Sequence, residues 1–126
     1  MARAETLSIR QARWSALQAQ GLSTSRRQRA TPAGRPVLRR LMEQVGTIQL
    51  DAVNVVDRTQ FLVPFSRLGP YDRKAMVQLS GPQRPWFEYW GHAASLLPVE
   101  LYPLLRWRME RHASLTHWHA WLKVHG

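Results

Sequence analysis

Trp86-Phe87-Glu88-Tyr89-Trp90-Gly91-His92-Ala93-Ala94-Ser95-Leu96-Leu97 is the stretch on which the fold turns. Trp86 to Trp90 and Ala93 to Leu97 are two runs with the aromatic and apolar character of strands. Gly91-His92 between them has the length of a two-residue hairpin turn.

Downstream, Pro98 opens a last helix carrying Leu101, Leu104, Leu105 and Met109. Upstream, Asp72 caps a short helix ending near Ser80, and Ser66 to Pro70 is a turn-rich linker. Asp51 fits the cap of a helix of about Ala52 to Leu62 that Pro64 would close. Thr47 to Asp51 alternates apolar Ile48 and Leu50 with polar Gln49 and Asp51, the period of extended backbone. Before it, Pro36 suits the first turn of a helix with Val37, Leu38, Leu41, Met42 and Val45 at helical spacing, ended by Gly46. Ser8-Ile9-Arg10-Gln11 reads as a capping box for a helix to about Gln20, with Ile9, Ala12, Ala16 and Leu17 on one face and Gly21 as its left-handed stop. The predicted fold class is mainly α with a small β-hairpin. Three helices followed by a hairpin is the element order of a winged helix-turn-helix, predicted here as one domain over residues 1–126.

Lys and Arg number 18 against 8 Asp and Glu, a formal net charge of +10, and sixteen of those cations are Arg. Arginine forks onto phosphate and lies flat on bases, so the first partner to expect is nucleic acid. Arg26, Arg27 and Arg29, with Arg35, Arg39 and Arg40, form a dense block with almost no acid nearby, a phosphate clamp if it is not simply a solvated face. The basic first 40 residues also fit an organelle transit peptide, but the start and stop signals of the first helix favour a folded segment. Arg67 either meets phosphate or braces the turn. His92, at the hairpin tip, is a candidate backbone or lesion contact or a plain turn residue. Trp86, Phe87, Tyr89 and Trp90 pack the hairpin on the core or stack on unpaired bases, packing being the commoner use. Cysteine is absent, and no apolar run approaches the roughly 18 to 20 residues that cross a bilayer, which together predict a cytoplasmic, nucleoid-associated protein with no membrane contact. His112, His117, His119 and His125 lack the Cys or carboxylate company of a structural zinc site, so no metal is expected. The sequence holds no glycine-rich phosphate loop and no Cys nucleophile, and no cofactor is expected.

Ile48-Gln49-Leu50-Asp51-Ala52-Val53-Asn54-Val55-Val56, Phe65-Ser66-Arg67-Leu68-Gly69-Pro70-Tyr71, Glu88-Tyr89-Trp90-Gly91-His92 and Ser95-Leu96-Leu97-Pro98 resemble, in order and spacing, the N-terminal part of the YcaQ/AlkZ family. The resemblance runs from about Leu7 to Met109. Gly91 and Ala94 stand where members usually carry Ala and Glu. The resemblance implies a winged-helix DNA glycosylase that unhooks interstrand crosslinks and releases N7-alkylated purines from double-stranded DNA. Family members are about three times longer, so it also implies the N-terminal fragment of a larger architecture. Gln49-Leu50-Asp51 matches the Gln-apolar-Asp form of the catalytic motif, found in the YcaQ-like subgroup, and by that match Gln49 and Asp51 inherit the catalytic assignment. Extended backbone sends both side chains to one side, which such a pair requires. Without the resemblance, Asp51 reads as an ordinary helix cap and Gln49 as an exposed strand residue. Two further readings stand beside the enzyme: a non-catalytic winged-helix DNA-binding module or inactive truncated paralogue, and a basic RNA-associated protein.

Overall fold

The computed structural model of the chain describes residues 6–23, 31–81 and 83–113, with side chains as far as Arg111. In chain order the elements are α1 (Ile9–Ala19), α2 (Arg35–Val45), β1 (Ile48–Gln49), α3 (Thr59–Leu68), α4 (Arg73–Leu79), β2 (Trp86–Trp90), β3 (Ala94–Pro98), a 3-10 turn (Val99–Leu101) and α5 (Tyr102–Ala113). The fold is therefore mainly α with a small antiparallel sheet, as its sequence predicts.

α1 begins on the predicted capping box: the Gln11 amide donates to Ser8 Oγ and the Ser8 amide to Gln11 Oε1. It ends in a Schellman motif, with Leu22 N–H on the Leu17 carbonyl and Gly21 N–H on that of Gln18, at a Gly21 φ of 69°. α2 carries Pro36 in its first turn and stops at Gly46, whose φ of 74° lies in the left-handed region. Asp72 caps α4, accepting from the Lys74 amide.

The sheet has three strands in the order β1-β3-β2, all antiparallel. Ile48 pairs with Leu96 and Gln49 with Ser95; Trp86 pairs with Pro98 and Trp90 with Ala94. Pro98 is tolerated in the central strand because β1 is too short to reach it. On one face Ile48, Leu96 and Trp86 meet Leu38 and Met42 of α2 and Ala75, Met76 and Leu79 of α4, which form the core. The indole of Trp86 is thus a core residue. Tyr102 meets Phe87 on the other face in a T-shaped contact, with centroids 5.6 Å apart and planes at 74°.

Four local expectations are corrected. Residues 52–58 are not helical, and Pro64 lies inside α3 rather than beyond its end. Val53, Val55 and Val56 are β-branched and resist a helix, while the Asp51 side chain turns back on the Val53 amide. Pro64 costs α3 one amide donor but buries its ring completely. The linker expected over Ser66 to Pro70 starts later, since Ser66 to Leu68 form the last turn of α3 and Gly69 ends it. The hairpin loop has three residues, Gly91, His92 and Ala93, because Trp90 pairs with Ala94 and the Gly91 amide donates to the Ala93 carbonyl. After β3, a 3-10 turn precedes α5, which starts at Tyr102 rather than at Pro98.

α1 stands outside the core with no buried residue. No helix among the described residues is long and apolar enough to cross a membrane.

Candidate functional site

β1 is anchored by Ile48, which is buried, and by Thr47, whose hydroxyl donates to the Leu96 carbonyl. The extended path continues one residue beyond β1, where the Leu50 amide donates to the Ala94 carbonyl at 2.7 Å. It thereby delivers Asp51 to the N-terminal end of α3. Gln49 is exposed, and Asp51 is half-buried.

The Asp51 carboxylate is fixed at both oxygens. Oδ1 accepts from the Val53 amide at 2.9 Å, and Oδ2 accepts from Thr59 Oγ1 at 3.3 Å. Its own amide donates to Gln60 Oε1 at 3.2 Å. The cap geometry and the orientation of the carboxylate are therefore one arrangement, although the capped turn is Asp51 to Val53 and not the start of a helix. The ion pairs among the described residues are Arg73–Asp57 and Arg106–Glu110, so neither involves Asp51. Its partners are neutral donors, so none of them competes as a counter-charge with a cation brought beside it.

Sheet register places Gln49, Ser95 and Tyr89 in one row across the face opposite the core. Ser95 is buried and donates to the Ala93 carbonyl, and Arg108 of α5 sits 5.9 Å from the centroid of the Tyr89 ring. Gly91 lies above this row; a Cβ there would meet Ser95 Oγ and the Ala93 carbonyl at 3.8 Å, ordinary contact.

Arg35, Arg39 and Arg40 are exposed on α2, away from buried Leu38, Leu41 and Met42, and outside both ion pairs. Such unneutralised guanidinium groups suit phosphate. Arg26, Arg27 and Arg29 lie outside the described residues, as do His117, His119, His125 and the side chain of His112. His92 is exposed in the hairpin loop.

Arg67 is turned inward. Its Nε donates to the Gln20 carbonyl at 2.7 Å and Nη2 to Gln20 Oε1, while Nη1 donates to the Val63 carbonyl and Ser66 Oγ. The guanidinium thus braces the C-terminal end of α1, where unpaired carbonyls concentrate negative charge. Partial burial lowers its pKa from the usual arginine value. Four of its five N–H donors are engaged by these contacts, which leaves little for a phosphate.

Thr59 and Gln60 are the residues that sequence reasoning missed. A helix over Ala52 to Leu62 would have placed them two turns from Asp51. The three valines just ahead carried the signal, since a β-branched run delays the helix until Thr59.

No solved structure matches this chain. Residues 42–125 match the family described as DNA glycosylase AlkZ-like, a span that includes β1, Asp51 and the whole sheet. The chain therefore belongs to the AlkZ-like DNA glycosylase family, whose work is on DNA and in its repair.

Proposed function

We propose that Gln49 and Asp51 are the hydrolytic pair of a monofunctional glycosylase acting on N7-alkylated purines, including crosslinked ones, in double-stranded DNA. The observation that carries this reading is the Asp51 carboxylate, oriented by Val53 and Thr59, outside the ion pairs among the described residues, and two residues from exposed Gln49.

Alkylation at N7 makes the purine cationic and a good leaving group, so little acid catalysis is needed. As the C1′–N9 bond lengthens, its electron pair leaves with the base and cancels the N7 charge. Positive charge then develops on the sugar, opposite the Asp51 carboxylate. A water held by the Gln49 amide adds to C1′ and gives its proton to Asp51. No cofactor takes part in this scheme.

The scaffold we infer is a winged helix spanning residues 1–126. Helix, strand, helix, helix and two strands follow in order from α2 to β3, and β1 joins the hairpin in one sheet. In such a unit α4 enters the major groove, with Arg73, Lys74, Val77 and Gln78 exposed on it. The hairpin loop with His92 lies along the backbone, and Arg35, Arg39 and Arg40 meet phosphates. Arg67 serves this surface indirectly, by holding α1.

A duplex containing N7-methylguanine, incubated with the chain and then treated with alkali, tests the reading: strand breaks at the lesion are expected. Absence of breaks from this chain and also from a longer family member would overturn it. The three exposed arginines of α2, which lie outside the ion pairs among the described residues, also support a second reading, a DNA-binding module without catalysis. It requires salt-sensitive duplex binding with no base release.

A further inference from the structure

Val55 and Val56 are 89% and 87% exposed, in the loop that follows the Gln49–Asp51 segment. Val53 in the same loop is 63% exposed. Isolated exposed apolar residues are ordinary, but adjacent valines at nearly full exposure leave a concentrated apolar tip in water.

The loop is tied at both ends. On one side Asp51 Oδ1 accepts from the Val53 amide. On the other, the Asp57 carboxylate accepts from its neighbour Arg58 N–H at 2.9 Å and takes both Nη groups of Arg73, at 2.9 and 3.2 Å. Arg73 is itself seated 3.9 Å over the Phe61 ring. The tip is therefore presented from fixed anchors, and valine side chains are stiff at χ1, so little conformational freedom is left to lose on contact. These side chains carry no hydrogen-bonding group and ask for an apolar surface. Arg58 and Lys74 stand exposed at the loop's C-terminal end and on the neighbouring α4. An apolar tip flanked by cations is complementary to a base stack flanked by phosphates.

We propose that Val55 and Val56 form a wedge that enters the base stack of duplex DNA beside the lesion. The placement of the wedge next to the reacting nucleotide rests on the Asp51 reading; its entry into the stack does not. Loosening the stack there opens the duplex beside Asp51, four residues before Val55. The wedge also gives selectivity, because unstacking costs least where a lesion has already weakened the duplex.

The test uses the full chain and a duplex with a tetrahydrofuran abasic analogue next to 2-aminopurine, whose fluorescence rises on unstacking. The analogue cannot be hydrolysed, so the readout is independent of catalysis. Wild type is expected to raise the fluorescence and to prefer the abasic duplex over the undamaged one. The double variant Val55→Ala/Val56→Ala should lose the rise and about 10- to 100-fold of the preference, the burial of two to four methyl groups. Its affinity for undamaged duplex should be unchanged, and Val55→Leu/Val56→Leu should keep the rise. Absence of a rise with wild type, or retention of both rise and preference by the double alanine variant, would overturn the proposal. So would a wild-type dimer in sedimentation that the double alanine variant abolishes, since the valines would then serve a second copy. Base release by Asp51→Asn at the wild-type rate would instead remove the Asp51 reading and leave the wedge standing.

Discussion

Thr59 Oγ1 donates to Asp51 Oδ2 across 3.3 Å, so the residue that opens α3 orients the carboxylate that follows β1. Thr59→Val keeps the shape and removes the donor. It should slow base release about 10-fold in single-turnover kinetics, with duplex affinity unchanged, and Thr59→Ser should restore most of the loss. A loss in Thr59→Ser but not in Thr59→Val would mean that the methyl group matters and not the hydroxyl.

Arg67→Met should free α1 while the core stays folded. An 11-residue helix with no buried residue does not persist in water on its own, and Arg67 supplies two of the contacts that hold its last turn. Amide hydrogen exchange across Ile9–Ala19 should rise towards unprotected rates, with α2 and β3 unaffected. The cost in global stability should be about 1–3 kcal/mol.

Two glycines should answer differently to alanine. Gly46 ends α2 at a φ of 74°, so Gly46→Ala should destabilise by about 1 kcal/mol, read from the denaturation midpoint. Gly91 has an ordinary φ and room for a Cβ at 3.8 Å, so Gly91→Ala should be close to neutral. The absence of the family's alanine there is then a change without structural cost.

Burial pushes the Tyr71 phenol up to about 12, with Arg73 opposing and Asp57 adding to the shift. The hydroxyl donates to the Phe61 carbonyl at 3.1 Å. Ionisation is thus easier in the unfolded chain, where the phenol titrates near 10. The stabilisation linked to this group is complete below about pH 10 and is lost as pH rises towards 12. Ultraviolet titration should show one tyrosine ionising late, and Tyr71→Phe should flatten that limb of the stability profile.

Much of this was written locally in the sequence. Ser8 with Gln11, Pro36 with Gly46, and Asp72 each mark a helix end through short-range hydrogen bonding or a fixed φ, and each mark matches the fold. The alternation around Gln49 correctly gave extended backbone there. Pairing of that segment with β3 was not legible, because a two-residue strand is defined by its partner. The start of α3 was misplaced because Asp51 serves equally well as a helix cap and as an isolated turn. Deciding between them required weighing Val53, Val55 and Val56 against Pro64, whose burial repays its lost hydrogen bond. The brace made by Arg67 joins residues 47 apart, a separation that no local pattern records.

The most direct test of the central claim is the single-turnover rate of N7-methylguanine release from duplex DNA by wild type and by Asp51→Asn, at matched duplex affinity. Replacing the oriented carboxylate by a neutral amide should slow release by about 100-fold or more while leaving binding intact. Release by Asp51→Asn at the wild-type rate would contradict the account.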